Sequence, residues 1–120
     1  MNYQHKELAQ GRWFAMSLFE QLANVGSEVE RAIAWRNKKK EYSTRAVERA
    51  LELLELTIND HKHRKFSRLK ELSRLKEVLL DFFYGDNQYS SSDELFRKYF
   101  YAFAYAARMK REASTSNIKN

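Results

Sequence analysis

The chain of 120 residues has the size of one domain and a net charge of +6, with 43% hydrophobic and 32% charged residues. The absence of cysteine excludes disulfides, thiolate metal sites and cysteine nucleophiles. The absence of proline and the presence of only three glycines favour long helices over a β fold, which needs many turn residues.

The chain shows no sign of export or of membrane insertion. Its first ten residues are polar and lack the apolar core of a secretion signal. The longest apolar stretch, Tyr99–Ala107, is about half of the roughly 20 residues that a bilayer requires. Because secreted domains of this size often use disulfides, we expect a soluble cytoplasmic protein without a membrane partner.

The first predicted helix spans Arg12–Arg36 and carries an apolar stripe at spacings of three and four residues. Gly26 lies in its middle, where glycine costs about 1 kcal/mol relative to alanine. We therefore expect an aromatic side chain of the fourth helix to pack against Gly26. Trp35 lies about 100° from the stripe, so it either plugs the end of the domain or anchors an interface.

The second predicted helix follows a basic turn at 37–42 and ends near Ile58. Ser43 is its expected N-cap, with Thr44 as the alternative, because either side chain can accept a bond from a first-turn amide. Its apolar face consists of Val47, Leu51, Leu54 and Ile58.

The third predicted helix follows a second basic segment at 60–65. Ser67 is its expected cap, and Gly85 ends it, since glycine readily takes the left-handed conformation that follows many helices. Its apolar face consists of Leu69, Leu72, Leu75, Leu79 and Phe82.

The fourth predicted helix begins at a capping box formed by Ser91 and Glu94 and runs to about Arg111. Leu95 is one of its predicted inward positions. The last residues, 113–120, lack apolar periodicity and are predicted to be disordered.

Short breaks between the helices imply that neighbours in the chain lie antiparallel in space. We therefore predict an all-α fold, an antiparallel up-down four-helix bundle formed by residues 1–112. Leu22, Leu54, Leu72 and Phe100 should share its interior.

Two clusters of basic residues are candidate contacts for nucleic-acid phosphates. The alternative is that both are solvated surface. In an antiparallel bundle the turns after the first and second helices lie at opposite ends, so the clusters do not merge within a monomer. The candidates are Lys38, Lys39 and Lys40 in the first cluster, continued by Arg45 and Arg49, and Lys62, Arg64, Lys65, Lys70 and Arg74 in the second.

The aromatic run of the fourth helix allows three roles: core packing, base stacking, or contact with another subunit. Tyr99 and Phe103 fit inward positions, whereas Tyr101 and Tyr105 lie on an outward face. Tyrosine buries area yet tolerates water. We therefore expect Tyr101 and Tyr105, with Trp35, to form the interface of a homo-oligomer.

The sequence carries no motif for catalysis or for a cofactor. Di-metal bundles use Glu-x-x-His pairs, and no glutamate here has a histidine three residues on. Three glycines cannot form a phosphate-binding loop, and the Arg–His motif of HEPN ribonucleases is missing. We expect no enzymatic activity, cofactor or metal; His61 and His63 are at most an adventitious metal site.

Three segments carry a resemblance that covers most of the chain: GRW at 11–13, EQLANVGSEVERAI at 20–33 and ALELLELTI at 50–58. They resemble a group of small prokaryotic all-helical proteins, which implies no named activity. In size and charge the chain is also similar to the four-helix-bundle proteins encoded in ribosomal RNA intervening sequences and to the accessory proteins of diversity-generating retroelements. The latter form pentamers and contact nucleic acid, so this likeness implies an oligomer with a nucleic-acid partner.

Taken together, these features predict a non-catalytic accessory protein that self-associates and contacts the backbone phosphates of RNA or DNA. The alternative is a protein-interaction or regulatory module, antitoxin-like, whose charge serves only solubility. An enzyme acting on nucleotides or RNA is a third hypothesis, and no constellation of residues supports it.

Overall fold

The computed structural model describes residues 11–119, with side chains up to residue 113, and these residues form helices and connections without a strand. Four long helices pack together: α1 (Leu18–Trp35), α2 (Lys40–Ile58), α3 (Phe66–Tyr84) and α4 (Asp93–Lys119). A helical turn at 11–14 precedes α1, and a 3₁₀ turn (His61–His63) joins α2 to α3. The predicted all-α class is confirmed. None of the described helices is both long and apolar enough to span a bilayer.

The four helices bury one continuous apolar interior. Leu22, Leu54, Leu72 and Phe100, one from each helix, are at most 5% exposed, which confirms that they share this interior. Leu95 was expected to face inward and is instead exposed. The reason is that α3 and α4 leave a groove between them, and Leu95 lies along it.

Helix α1 contacts both α2 and α4 over much of its length, whereas α3 contacts α2 less and α4 only sparsely. Arg36 connects three of the helices. Its Nη2 lies 2.9 and 3.1 Å from the two carboxylate oxygens of Asp93 at the start of α4. Its guanidinium also lies over the Phe82 ring of α3, 5.1 Å from the centroid.

Gly26 allows α1 and α4 to approach each other closely. A Cβ atom placed on Gly26 would lie 2.5 Å from Phe100 Cβ, nearer than such atoms come in proteins. The expected aromatic neighbour from the fourth helix is therefore confirmed. Phe19 and Phe103 add a second ring contact between the same helices, with centroids 6.2 Å apart.

Helix α1 is shorter than the predicted Arg12–Arg36, because the helix is interrupted after residue 14 and begins again after the N-cap Ser17. The Ser17 Oγ accepts a hydrogen bond from Glu20 N at 3.2 Å, as an N-cap does. Apolar periodicity alone does not detect this serine, which separates the turn at 11–14 from α1.

Helix α2 begins at Lys40, so neither Ser43 nor Thr44 is its N-cap. Ser43 is buried within the helix, and its Oγ donates to Ala32 O at 2.7 Å. This bond attaches the first turn of α2 to the last turns of α1. The connection between the two helices is consequently limited to residues 36–39.

The caps of α3 and α4 also differ by one or two residues from the prediction. Lys65, not Ser67, is the N-cap of α3, and it makes no side-chain cap bond. Ser92, not Ser91, caps α4, since its Oγ accepts from Leu95 N at 3.1 Å. Two adjacent serines offer the same chemistry, and the path of the loop decides between them.

Gly85 ends α3, but its φ of −111° is not left-handed. A Cβ at this position would lie 3.0 Å from Asp81 O, so Gly85 supplies room beside the last turn of α3. The positive φ angles of this loop belong to Asn87 and Ser90.

The backbone of α4 is helical to Lys119 and therefore continues beyond Arg111, into the segment 113–120 for which the sequence predicts disorder. The assignment of residues 1–112 to one domain stays a prediction. Residues 1–10 and 120 lie outside the described residues.

We predict that Gly26→Ala lowers the free energy of unfolding by up to about 2 kcal/mol. Overpacking destabilises the fold by about 1–3 kcal/mol. The better helix propensity of alanine offsets about 1 kcal/mol of this loss. Urea denaturation measures the change, and the exposed neighbour Ser27→Ala is the control, with an effect within about 0.5 kcal/mol. An unchanged or raised stability of Gly26→Ala would contradict the contact with Phe100.

Candidate nucleic-acid interface

The first basic cluster lies where α1 meets α2. Lys38 and Lys39 are exposed in the turn, and Lys40 is the exposed first residue of α2. The N-cap residue Lys39 makes no side-chain cap bond, so it leaves the first amides of α2 without that acceptor. Three ammonium groups and the positive end of a helix dipole thus face solvent together.

Beside this turn, α1 and α2 form a depression that we call the α1–α2 groove, with a volume of about 240 Å³. Its two aromatic rings, Trp35 and Tyr42, are 36% and 39% exposed and meet edge to face with centroids 5.2 Å apart. Among the described residues no carboxylate lines the groove. Its lining residues are Arg31, Trp35, Tyr42, Arg45, Ala46 and Arg49.

Tyr42 joins the groove to the basic turn. Lys39 Nζ lies 5.0 Å and Arg45 Cζ 5.9 Å from the centroid of the Tyr42 ring. Both cations are within the range of cation–π attraction. The predicted residues Trp35 and Lys39 therefore belong to the same surface.

Glu28 positions two of the arginines from beneath. Arg31 Nη1 lies 2.8 Å from Glu28 Oε1, and Arg49 Nε lies 4.0 Å from Glu28 Oε2. The Glu28 side chain is only 12% exposed, whereas both arginine side chains are more than half exposed. One carboxylate thus orients two guanidinium groups and leaves them accessible to an anion.

The second basic cluster lies at the other end of α2, about 27 Å away at a rise of about 1.5 Å per residue. Lys62 is engaged structurally, since its Nζ donates to Asp60 Oδ2 and, at 2.8 Å, to Phe14 O. Arg64 and Lys65 are exposed. The structure does not bring this cluster into contact with the first.

Lys70 and Arg74 are exposed on α3, away from the α1–α2 groove. Arg74 Cζ lies 5.6 Å from the centroid of the Tyr89 ring. The Tyr89 hydroxyl in turn donates to Glu77 Oε2 at 3.1 Å. This side of α3 therefore mixes both signs of charge.

Tyr101 and Tyr105 are exposed on α4, at 62% and 49%, with ring centroids 6.4 Å apart. Tyr101 lines a groove between α1 and α4. Trp35, which the sequence analysis grouped with these tyrosines, lines the α1–α2 groove, and its role in an interface stays a prediction.

A buried polar network lies beneath the second cluster, and the sequence analysis missed it. Gln21 Nε2 donates to Trp13 O at 3.0 Å and to Asp60 Oδ2 at 2.7 Å, while Gln21 Oε1 lies 2.6 Å from His63 Nε2. Because the amide nitrogen makes both donations, Oε1 accepts and the His63 proton is assigned to Nε2. His63 is 2% exposed, and its Nδ1 has no hydrogen-bond partner among the described residues.

This network holds a neutral histidine beside an ionised carboxylate. Burial lowers the pKa of His63, against the opposing charge of Asp60. Burial would raise the pKa of Asp60, but hydrogen bonds from Lys62 and Gln21 outweigh it and lower that pKa. The 3₁₀ turn is thereby attached to α1 through a charge-dependent set of bonds.

The sequence analysis also missed Arg31 and Tyr42 as members of the α1–α2 groove. Arg31 precedes Trp35 by one helical turn, which places the two on one face of α1. Tyr42 follows the turn, so its approach to Trp35 depends on how tightly α1 and α2 connect. The four-residue spacing of Arg31 and Trp35 was the available signal.

Within the described part of the chain, no three His, Asp or Glu side chains lie close enough together to hold a metal ion. Comparison with models of protein families gives no match, and neither do comparisons with curated proteins and with solved structures. The geometry of the site is therefore the basis for its interpretation.

We predict that the protein loses stability on mild acidification because of His63. Its folded pKa lies below its ordinary value of 6.5, so the unfolded chain binds the proton first. The stabilisation that comes from the neutral state of His63 is therefore fully present above pH 6.5. The free energy of unfolding falls as the pH drops from there toward the folded pKa, by at most about 1.4 kcal/mol per pH unit.

Urea denaturation between pH 7.5 and pH 5 would measure this slope. The slope should disappear in His63→Gln and persist in His61→Gln, which changes an exposed histidine. Equal slopes in the two variants would show that the buried network does not carry the effect. Asp60 contributes separately, because its stabilisation is lost only as the pH falls below 3.8.

Proposed function

We propose that this chain is a non-catalytic helical accessory protein that self-associates and binds RNA or DNA through backbone phosphates. One observation carries the proposal: the α1–α2 groove and its adjoining turn combine three arginines, three lysines and two exposed rings. Arginine forks match phosphate geometry, and lysines supply further positive charge. The cysteine-free composition supports a cytoplasmic location.

The proposal takes the four helices as an antiparallel up-down bundle. The end of α1 meets the start of α4 in the pair of Arg36 with Asp93, and it meets the start of α2 in the bond from Ser43 to Ala32. Both contacts support opposite directions for neighbouring helices. In such a bundle the groove opens near one end, with the second basic cluster at the other.

We predict that the double variant Lys38→Gln/Lys39→Gln weakens binding to mixed-sequence RNA and DNA on the order of tenfold or more at low salt. The salt dependence should also fall by about one unit of slope for each phosphate that the variant no longer binds. Fluorescence anisotropy at two salt concentrations measures both quantities. The charge-matched control Arg64→Gln/Lys65→Gln changes exposed residues of the second cluster and should have the smaller effect.

The outcomes separate the parts of this proposal. Absence of binding by the unaltered protein at low salt would reject nucleic acid as a partner. Equal losses in both double variants would reject the assignment to the α1–α2 end.

Self-association is assigned to the exposed tyrosines of α4. Tyr101 and Tyr105 present two adjacent rings on one outward face, and such rings are enriched in protein interfaces. Tyr101 also borders the groove at Gly26, where α1 and α4 lie close together. A second copy seated there would cover both rings.

We predict that Tyr101→Ser/Tyr105→Ser shifts the oligomer toward monomer, with at least about a tenfold weaker association, since truncating a hot-spot residue of an interface costs about 2 kcal/mol or more. Sedimentation velocity over a concentration series measures the change. Tyr84→Ser removes an equally exposed ring from α3 and should leave the mass unchanged. A strictly monomeric parent protein would refute this assignment.

A second candidate function is protein interaction, and the groove between α3 and α4 favours it. This groove has a volume of about 260 Å³ and a mainly apolar lining that includes Leu75, Val78, Leu95 and Tyr99. Leu95 is 55% exposed, which suits the apolar face of a partner helix. If the protein binds neither RNA nor DNA, protein interaction becomes the function that the structure supports better.

A further inference from the structure

The α1–α2 groove differs from a plain basic surface because its cations surround an aromatic pair. Tyr42 is already engaged by Lys39, Arg45 and the edge contact with Trp35. Trp35 lines the groove and keeps about a third of its surface in solvent. The groove therefore offers an indole surface next to guanidinium groups.

The size of the groove limits what can enter it. Its volume of about 240 Å³ lies below the roughly 300–1,000 Å³ of pockets that hold drug-sized ligands. One planar ring with its attached phosphate suits this space, whereas a helical duplex does not enter it. Duplex bases are stacked internally, so only an unpaired base can reach an aromatic side chain in this way.

We propose that the groove takes one unstacked nucleotide of a single-stranded nucleic acid, with its base against Trp35 and the flanking phosphates on Arg31, Arg45 and Arg49. This inference rests on the proposed function and specifies its ligand. Stacking on an aromatic ring tolerates every base, so the preference is for single strands and not for a sequence.

Charge attraction alone predicts tighter binding of a duplex, whereas the proposal predicts tighter binding of a single strand. Comparing the two affinities therefore tests the proposal. A duplex carries more charge per unit length than a single strand, so a surface that reads only phosphates binds the duplex more tightly. A preference for the single strand that is lost when the ring of Trp35 is removed requires an interaction with that ring. The ring of Trp35 is the group positioned to supply it.

The test measures anisotropy with an oligouridine of about 16 nucleotides and with a duplex of equal phosphate number. We expect the single strand to bind more tightly, and Trp35→Leu to weaken that binding by about 5- to 100-fold while the duplex affinity stays unchanged. Trp35→Phe keeps a ring and should retain most of the single-strand affinity. Circular dichroism checks that each variant keeps its helices.

Tryptophan emission gives a second readout that does not depend on the leucine variant. The chain has two tryptophans, and Trp13 is only 6% exposed. Oligouridine should quench the emission of the parent protein and leave that of Trp35→Phe, which reports Trp13 alone, unchanged. Quenching that persists in Trp35→Phe would place the base elsewhere.

The outcomes distinguish this inference from the proposed function. Binding of both nucleic acids, with no preference for the single strand and no selective effect of Trp35→Leu, would overturn the inference and leave phosphate binding intact. No binding of either nucleic acid at low salt would overturn both.

Discussion

The contact between Gly26 and Phe100 determines how close α4 lies to α1. Because Gly26 has no side chain, the ring packs directly on the backbone of α1, and the two helices remain adjacent from there to the pair of Phe19 and Phe103. Helix α1 is consequently held by α4 as well as by α2. A helix fixed by two neighbours gives the side chains that it carries a rigid base. The backbone that carries Arg31 and Trp35 is therefore fixed on two sides, while Glu28 orients the guanidinium groups of Arg31 and Arg49.

The two ends of α2 use charge in different ways. Near Lys62, the carboxylate of Asp60 is bound within a buried network in which Gln21 contacts both Asp60 and His63. At the other end, a single partly buried carboxylate, Glu28, aligns two arginines that remain exposed. The two clusters therefore differ in their carboxylates: Asp60 is bound within a polar network beside Lys62, whereas Glu28 orients arginines that remain exposed.

Interior positions could be predicted from periodicity, whereas hydrogen-bond partners in other elements could not. The interior leucines and the neighbour of Gly26 follow from apolar spacing and from the size of glycine. Ser43 has the chemistry of an N-cap, but its burial against α1 depends on the tightness of the turn. Gln21 and His63 are 42 residues apart, and no local pattern relates them. Tyr42 reaches Trp35 across the turn between α1 and α2, so its place in the groove depends on the tightness of that turn.

Helix α3 is the least firmly attached of the four, since it meets α4 mainly through Phe82 and Phe83 packed on Phe96. An element with few neighbours opens at a lower free energy than the whole domain, so its amides exchange with solvent earlier. Such an opening would leave α1, α2 and α4 packed while uncovering Leu75 and the buried ring of Phe96. Because Leu72, Leu75 and Leu79 of α3 belong to the common interior, each such opening would also cost the burial of these leucines.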